Sequence, residues 1–251
     1  MINRADIKKE AREIMRSARP SAFRVSLVVT IIMFAVTLPY LIITLRDPEE
    51  TNIMVYFWDV LSNLLSWVIS AGLINFLLAL HRGQPASYQE VWDSFGMAGK
   101  IIWLQIRIAV QVALWSMLFF FPGIVASYRY HFALYILLDD PELSVGEALK
   151  RSCAKSSGWK MEMFWLELSF FGLIVLLVSA PAILAALVGT LLIESIGQSG
   201  LIVLLLVCLA VPVAWLQAYM SLAQIGLYRA AAADSPAEQR EMPGNDTPWE
   251  F

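Results

Sequence analysis

Four side chains able to carry charge or protons stand inside apolar runs: Arg107, Arg129, His131 and Glu167. Charge in the hydrocarbon of a bilayer is costly, so each marks a partnered contact or a place where charge is held or moved. Arg107 and Glu167 lie at similar depths in their runs, and a pair between them would satisfy both in a low-dielectric setting. The other reading is that Arg107 snorkels to headgroups while Glu167 sits at the interface. Arg129 is flanked by Tyr128, Tyr130 and His131. It either orients the chain reversal before it through carbonyls at the turn, or meets a lipid phosphate, or lines a substrate pathway. His131 sits beside aromatics and reads as a packed, hydrogen-bonded residue rather than a ligand. These four are the candidate intramembrane polar site.

A second group is Lys8, Lys9, Arg12 and Arg16, candidates for contact with anionic lipid. Ile7, Ala11, Ile14 and Ala18 recur at helical spacing between them, so residues 4–18 read as a basic amphipathic helix ended by Pro20. Such a helix suits the surface of an anionic leaflet.

The signatures of enzyme chemistry are missing. No carboxylate pair or second histidine stands at metal-ligand spacing, and no Ser-His-Asp arrangement is legible. Neither a phosphate-binding G-x-x-x-x-G-K-[ST] nor a G-x-G-x-x-G occurs. Cys153 and Cys208 suit neither a zinc site nor a disulfide framework. Asp139-Asp140-Pro141-Glu142 is acidic but reads as a solvated helix end, because Pro141 explains the reversal. The expectation is a protein that is not an enzyme and holds no cofactor or metal.

The elements that must position these residues are membrane helices. Hydrophobic residues make up 59% of the chain and charged ones 16%, against about 45–50% and about 25% in soluble domains. The excess falls in runs near the ~20 residues that cross a bilayer. The fold class is therefore all-α, a polytopic transmembrane helical bundle of about six spans with short cytoplasmic helices. Residues 1–20 form the basic interfacial helix and 21–230 the membrane domain. Its spans are expected at 25–45, 60–80, 101–121, 124–138, 161–188 and 201–228, before a disordered cytoplasmic tail at 231–251. The first apolar run is too long for a cleaved leader and is expected to stay as an anchor.

Basic residues orient the bundle. Seven Lys/Arg precede or include Arg24, two lie in the 82–100 loop, four in the 139–160 loop and two, Arg229 and Arg240, after the last span. The other side holds only Arg46, in an acidic 46–59 loop, and the 189–200 loop has none. With six spans every basic segment falls on one side, so both termini are expected in the cytoplasm. The weak point is the short 124–138 span, reached through Phe121-Pro122-Gly123 read as a tight turn. With its neighbour it forms either two spans or a re-entrant hairpin. The two longer basic loops look alike: Ser87-x-x-Glu90 and Ser144-x-x-Glu147 are capping boxes. Gly99-Lys100 and Gly158-Trp159-Lys160 then mark re-entry.

Phe121-Pro122-Gly123-Ile124-Val125-Ala126-Ser127-Tyr128-Arg129-Tyr130, Tyr135 to Ser144, Glu147-Ala148 and Ser152 resemble the signature stretch of an uncharacterised bacterial membrane protein family, DUF975. Asn3 to Ala11, Trp159 to Phe164 and Leu168 to Gly172 are similar to further blocks, so the resemblance covers roughly residues 1–175. It implies a bacterial cytoplasmic-membrane protein without known activity. It also has a distant likeness to the membrane portion of some glycerophosphodiester phosphodiesterases, whose catalytic barrel has no counterpart here.

The leading reading is a non-enzymatic membrane component that binds anionic headgroups or a partner protein. Ala182/Ala186 and Ala185/Gly189 offer close packing to a membrane partner or a second copy. The alternative is a small-solute transporter or flux protein, motivated by Pro39, Pro181, Pro212 and the intramembrane arginines. Nucleic acid is not an expected partner.

Overall fold

The computed structural model describes residues 4–18, 20–46, 53–84 and 86–233. Among them every regular element is a helix. Five segments are long and apolar enough to cross a membrane: Ala22–Thr44, Ile53–His81, Gln89–Met117, Lys160–Gly189 and Leu204–Ala233. Residues 47–52 of the predicted acidic loop and most of the predicted tail, from 234 onward, lie outside the described residues.

Helix α1 (Arg4–Ser17) forms where the amphipathic pattern places it, burying Ile7 and Ala11. Helix α2 (Ala22–Arg46) stays helical through Pro39. A proline there removes one backbone donor and crowds the preceding turn. A carbonyl of that turn, Val36 O, accepts from Trp58 Nε1 at 3.0 Å, as expected where a neighbouring helix re-satisfies a loosened backbone. Helix α3 (Ile53–His81) starts earlier than the predicted span at residue 60. Asp59 is thus helical rather than in a loop, and both its carbonyl and its carboxylate accept from Asn63 Nδ2.

The 82–100 segment forms helix α4 (Gln89–Asp93) and a 3-10 turn at Ser94–Met97 before helix α5 (Ala98–Leu118). One arm of the first capping box is formed, Glu90 Oε1 accepting from the Ser87 amide at 3.2 Å, while Ser87 Oγ accepts from the Gln89 amide at 3.2 Å rather than from that of Glu90. Gly72 lets α4 seat on α3, since a Cβ there would lie 2.1 Å from the Val91 carbonyl oxygen.

The predicted fourth span is not one helix. It divides into α6 (Phe120–Tyr130) and α7 (Ala133–Asp139), with a turn at His131-Phe132. At 11 and 7 residues neither reaches the ~17–25 needed to span alone. The reversal also sits earlier than expected, at extended Phe119, φ −156° and ψ 146°. Pro122 is in the first turn of α6, where an amide has no intrahelical partner to lose. Gly123 is helical, and its job is close approach: a Cβ would lie 2.0 Å from Ser116 Oγ on α5.

Helix α8 (Val145–Lys155) starts on the second capping box, with Ser144 Oγ accepting from the Glu147 amide at 3.2 Å. Gly158 follows at φ 87°. The backbone is then helical from Lys160 to Ala233 (α9), through the predicted 189–200 loop. A straight rod between Phe170 and Tyr219 would be about 74 Å long. Their rings stand 5.1 Å apart, so α9 folds back on itself and its two apolar halves lie side by side.

The core is concentrated at one end. Phe76, Leu77, Leu104, Phe132, Leu137, Met163, Leu166 and Leu222 are all buried there, with Ile7 and Ala11 of α1. Lys100 Nζ donates to Pro141 O, so the hairpin of α5 with α6 and α7 leaves from and returns to this same end. Among the described residues no hydrophobic side chain in 31–67, 105–125 or 171–209 is buried. The opposite end is splayed.

Candidate functional site

The packed end gathers side chains from every basic segment. Helix α1 lies across the two halves of α9. Arg4 Nε pairs with Glu162 Oε2 at 3.0 Å. Lys8 Nζ donates to Ser169 O at 3.2 Å and stands 4.3 Å from the Phe170 ring centre. Arg12 Nη2 donates to Tyr219 OH at 3.1 Å. Burial, and then the charge of Arg12, hold the Lys8 ammonium below the ordinary lysine range. The four predicted lipid contacts thus divide. Lys8 and Arg12 turn to the protein, whereas Lys9 and Arg16 point away from it.

Next to α1, His81 closes α3. Arg229 Nη1 donates to His81 O at 2.9 Å and lies 3.0 Å from His81 Nδ1. Guanidinium has only donors, so Nδ1 accepts, and the ring's other nitrogen faces Glu10 Oε1 at 3.6 Å. Asp139 is the exposed end of α7, as its sequence suggests, but it is also partnered. Its carboxylate pairs with Arg82 and accepts from Tyr228 OH at 2.7 Å. Tyr228 stacks on Tyr135, whose hydroxyl donates to Gln224 Oε1 at 3.2 Å. Leu78, Arg82, Asp139, Tyr228 and Arg229 line an open cleft of about 310 Å³. Sequence reading missed this cluster because its members are polar residues at helix ends, where solvation is the ordinary expectation.

Of the four intramembrane candidates, Glu167 and His131 come together and the arginines stand elsewhere. Glu167 Oε2 accepts at 2.6 Å from the OH of Tyr128, three residues before His131. Of the two readings of Arg107 and Glu167, the ion pair between them does not form. Arg107 Nη1 lies 3.5 Å from where a Cβ on Gly146 would stand, at the start of α8. Depth along the bundle was legible, but the direction each residue takes around its helix was not. His131 packs edge-on to Phe132, ring centres 5.8 Å apart, as a packed histidine.

Arg129 is held by its backbone. Its carbonyl accepts from Ser152 Oγ of α8 at 2.8 Å and from Ser156 Oγ, at the C-cap of that helix, at 3.3 Å. Arg129 borders an open groove of about 340 Å³ between α5 and α6, walled by Trp115, Phe121, Pro122, Val125 and Ala126. Among the described residues no group of His, Cys, Asp and Glu stands ready to hold a metal ion.

Residues 120–235 match the model of a family described as Protein of unknown function (DUF975). No curated protein and no solved structure matches the chain. The match begins at the α5–α6 hairpin, where the resemblance is most specific. It then runs through the last span, where little resemblance is expected, and leaves residues 1–119 outside.

Proposed function

We propose, from the match of residues 120–235 to the DUF975 family model, that the chain is a non-enzymatic, lipid-binding component of the bacterial cytoplasmic membrane. Its packed end faces the cytoplasm with both termini, and anionic headgroups collect there. One observation carries the reading. Arg4–Glu162, Glu10–His81–Arg229, Arg82–Asp139 and Lys100–Pro141 draw the ends of α1, α3, α5, α7 and α9 onto one face. That is the face the positive-inside rule assigns to the cytoplasm. Lys9 and Arg16 point outward from it, where each basic group near an anionic surface contributes ~1 kcal/mol of attraction.

Two measurements test this. In sealed bacterial vesicles carrying Cys208→Ser, a membrane-impermeant thiol reagent should label Cys153 on α8 only from the cytoplasmic side; labelling from outside defeats the orientation. In membranes mixing phosphatidylglycerol with phosphatidylcholine, lipid co-extracted with the wild type should be enriched in phosphatidylglycerol. Lys9→Gln with Arg16→Gln should lower that enrichment, and an unchanged value would remove the headgroup reading. A solute pathway needs polar groups along it, whereas the groove at Arg129 is walled by apolar side chains.

A further inference from the structure

We propose that the groove between α5 and α6 seats one anionic phospholipid, with its phosphate on the Arg129 guanidinium and an acyl chain along Trp115, Phe121, Pro122 and Val125. This rests on the lipid-binding reading above but uses a different surface and a defined stoichiometry.

The first ground is an unanswered charge. Among the described residues the Arg129 guanidinium has no hydrogen-bond or ion-pair partner. Two carboxylates on neighbouring elements are already engaged: Glu167 by Tyr128, and Asp139 by Arg82 and Tyr228. A cation against apolar walls without an anion is strongly unfavourable. The missing anion therefore comes from outside the chain.

The second ground is the shape of what it must be attached to. Apart from Arg129, the walls are Trp115, Phe121, Pro122, Val125 and Ala126. Trp115, Phe121 and Val125 are exposed, so the groove opens sideways rather than enclosing a small solute. An occupant with an anionic head and a long apolar body satisfies both halves of this surface. A free phosphate would leave the walls bare.

The third ground is level. Ser152 of the polar helix α8 and Ser156 at its C-cap bond the Arg129 carbonyl, which fixes Arg129 at the border between the apolar α6 and the packed, charged end. From there to Pro122 the groove runs about 10 Å toward the splayed end at ~1.5 Å per residue. In helices, long side chains lean toward the N-terminus, which carries the Arg129 head over the groove. The planar guanidinium fork matches two phosphate oxygens at once, which lysine does not.

The test is native mass spectrometry of the full chain released from nanodiscs of equimolar phosphatidylglycerol and phosphatidylcholine. The wild type should retain one phospholipid, predominantly phosphatidylglycerol. Arg129→Gln should lower that adduct roughly tenfold, the equivalent of one lost charge-assisted hydrogen bond, and Arg129→Lys should keep part of it. Val125→Trp fills the groove without touching the charge and should also remove the adduct, which protects the test if Arg129→Gln misfolds. Lys9→Gln with Arg16→Gln should leave the adduct in place even where it lowers bulk phosphatidylglycerol enrichment. The proposal is overturned by an adduct unchanged in both Arg129→Gln and Val125→Trp. It is equally overturned by an adduct lost only in the Lys9/Arg16 double variant, or by retention of inorganic phosphate without lipid.

Discussion

The two ends of this bundle solve different problems with the same kind of helix. At the packed end, α1, α3, α7, α8 and both halves of α9 interlock Phe76, Phe132, Met163 and Leu222 under a lattice of ion pairs. At the other end Phe57, Met117, Phe121, Leu176 and Leu187 stand exposed. In water such a surface would be a liability. In a bilayer it is ordinary, because lipid tails are as apolar as leucine and helices gain little by hiding from them. The contrast separates where the fold is specified from where it is merely solvated. Tight packing and polar pairing at one end set the arrangement, and the far end follows from helix direction.

The contrast is broken or sharpened most sharply by a matched pair of glycines. Gly72→Ala drives a Cβ into the rigid Val91 carbonyl and should cost on the order of 3 kcal/mol. Gly172→Ala, facing open space on α9 just past Phe170, should carry no such cost and instead stabilise by roughly 0.5–1 kcal/mol, the helix preference of alanine over glycine. Unfolding in mixed micelles measures both, and equal costs would mean that the two ends are not distinct. Next in size is Tyr128→Phe, which removes the donor to Glu167 and should cost about 1–2 kcal/mol. If that cost is absent, Glu167 has found water or another donor, and the polar border is softer than described.

The smallest effect is a pH slope at α1. The Lys8 ammonium is depressed below the usual lysine value by burial and by Arg12. The fold therefore disfavours its charged form and binds fewer protons than the unfolded chain between the lowered value and the ordinary one. Stability must rise with pH through that alkaline window, the reverse of a lysine that gains a carboxylate. Comparing wild type with Lys8→Gln in alkaline detergent isolates this slope. A fall with rising pH in the difference would show that the Phe170 ring and the Ser169 carbonyl outweigh burial.

Much of this fold was legible because its signals are local. The Ile7/Ala11 stripe, the two capping boxes and the long apolar runs each depend on a few neighbouring residues, and each appears where its pattern lies. The misses have one cause in common. Pro122-Gly123 reads equally as a turn or as the opening of a helix, and Ser116, which makes Gly123 necessary, lies on another element. Asp139 is solvent-facing as read, but its partners Arg82 and Tyr228 come from 57 and 89 residues away. Arg107 and Glu167 share a depth but face different neighbours. Local chemistry does not carry the direction around a helix axis, and the candidate site depends on that direction.

The placement of α1 has a consequence for how the molecule comes into being. Its partners Glu162 and Tyr219 are 158 and 207 residues downstream. At ordinary synthesis rates of ~5–20 residues per second, Arg12 waits roughly ten to forty seconds before Tyr219 exists. Until then Ile7 lacks Gly226 of α9, against which it packs. A helix translated before either half of α9 is thus among the last to dock, and its docking registers that the final hairpin has been inserted. Seen in time rather than in space, α1 is a completion seal: a chain stalled before residue 219 would carry it unlatched, with a basic amphipathic segment open to membrane surface and to quality-control proteases.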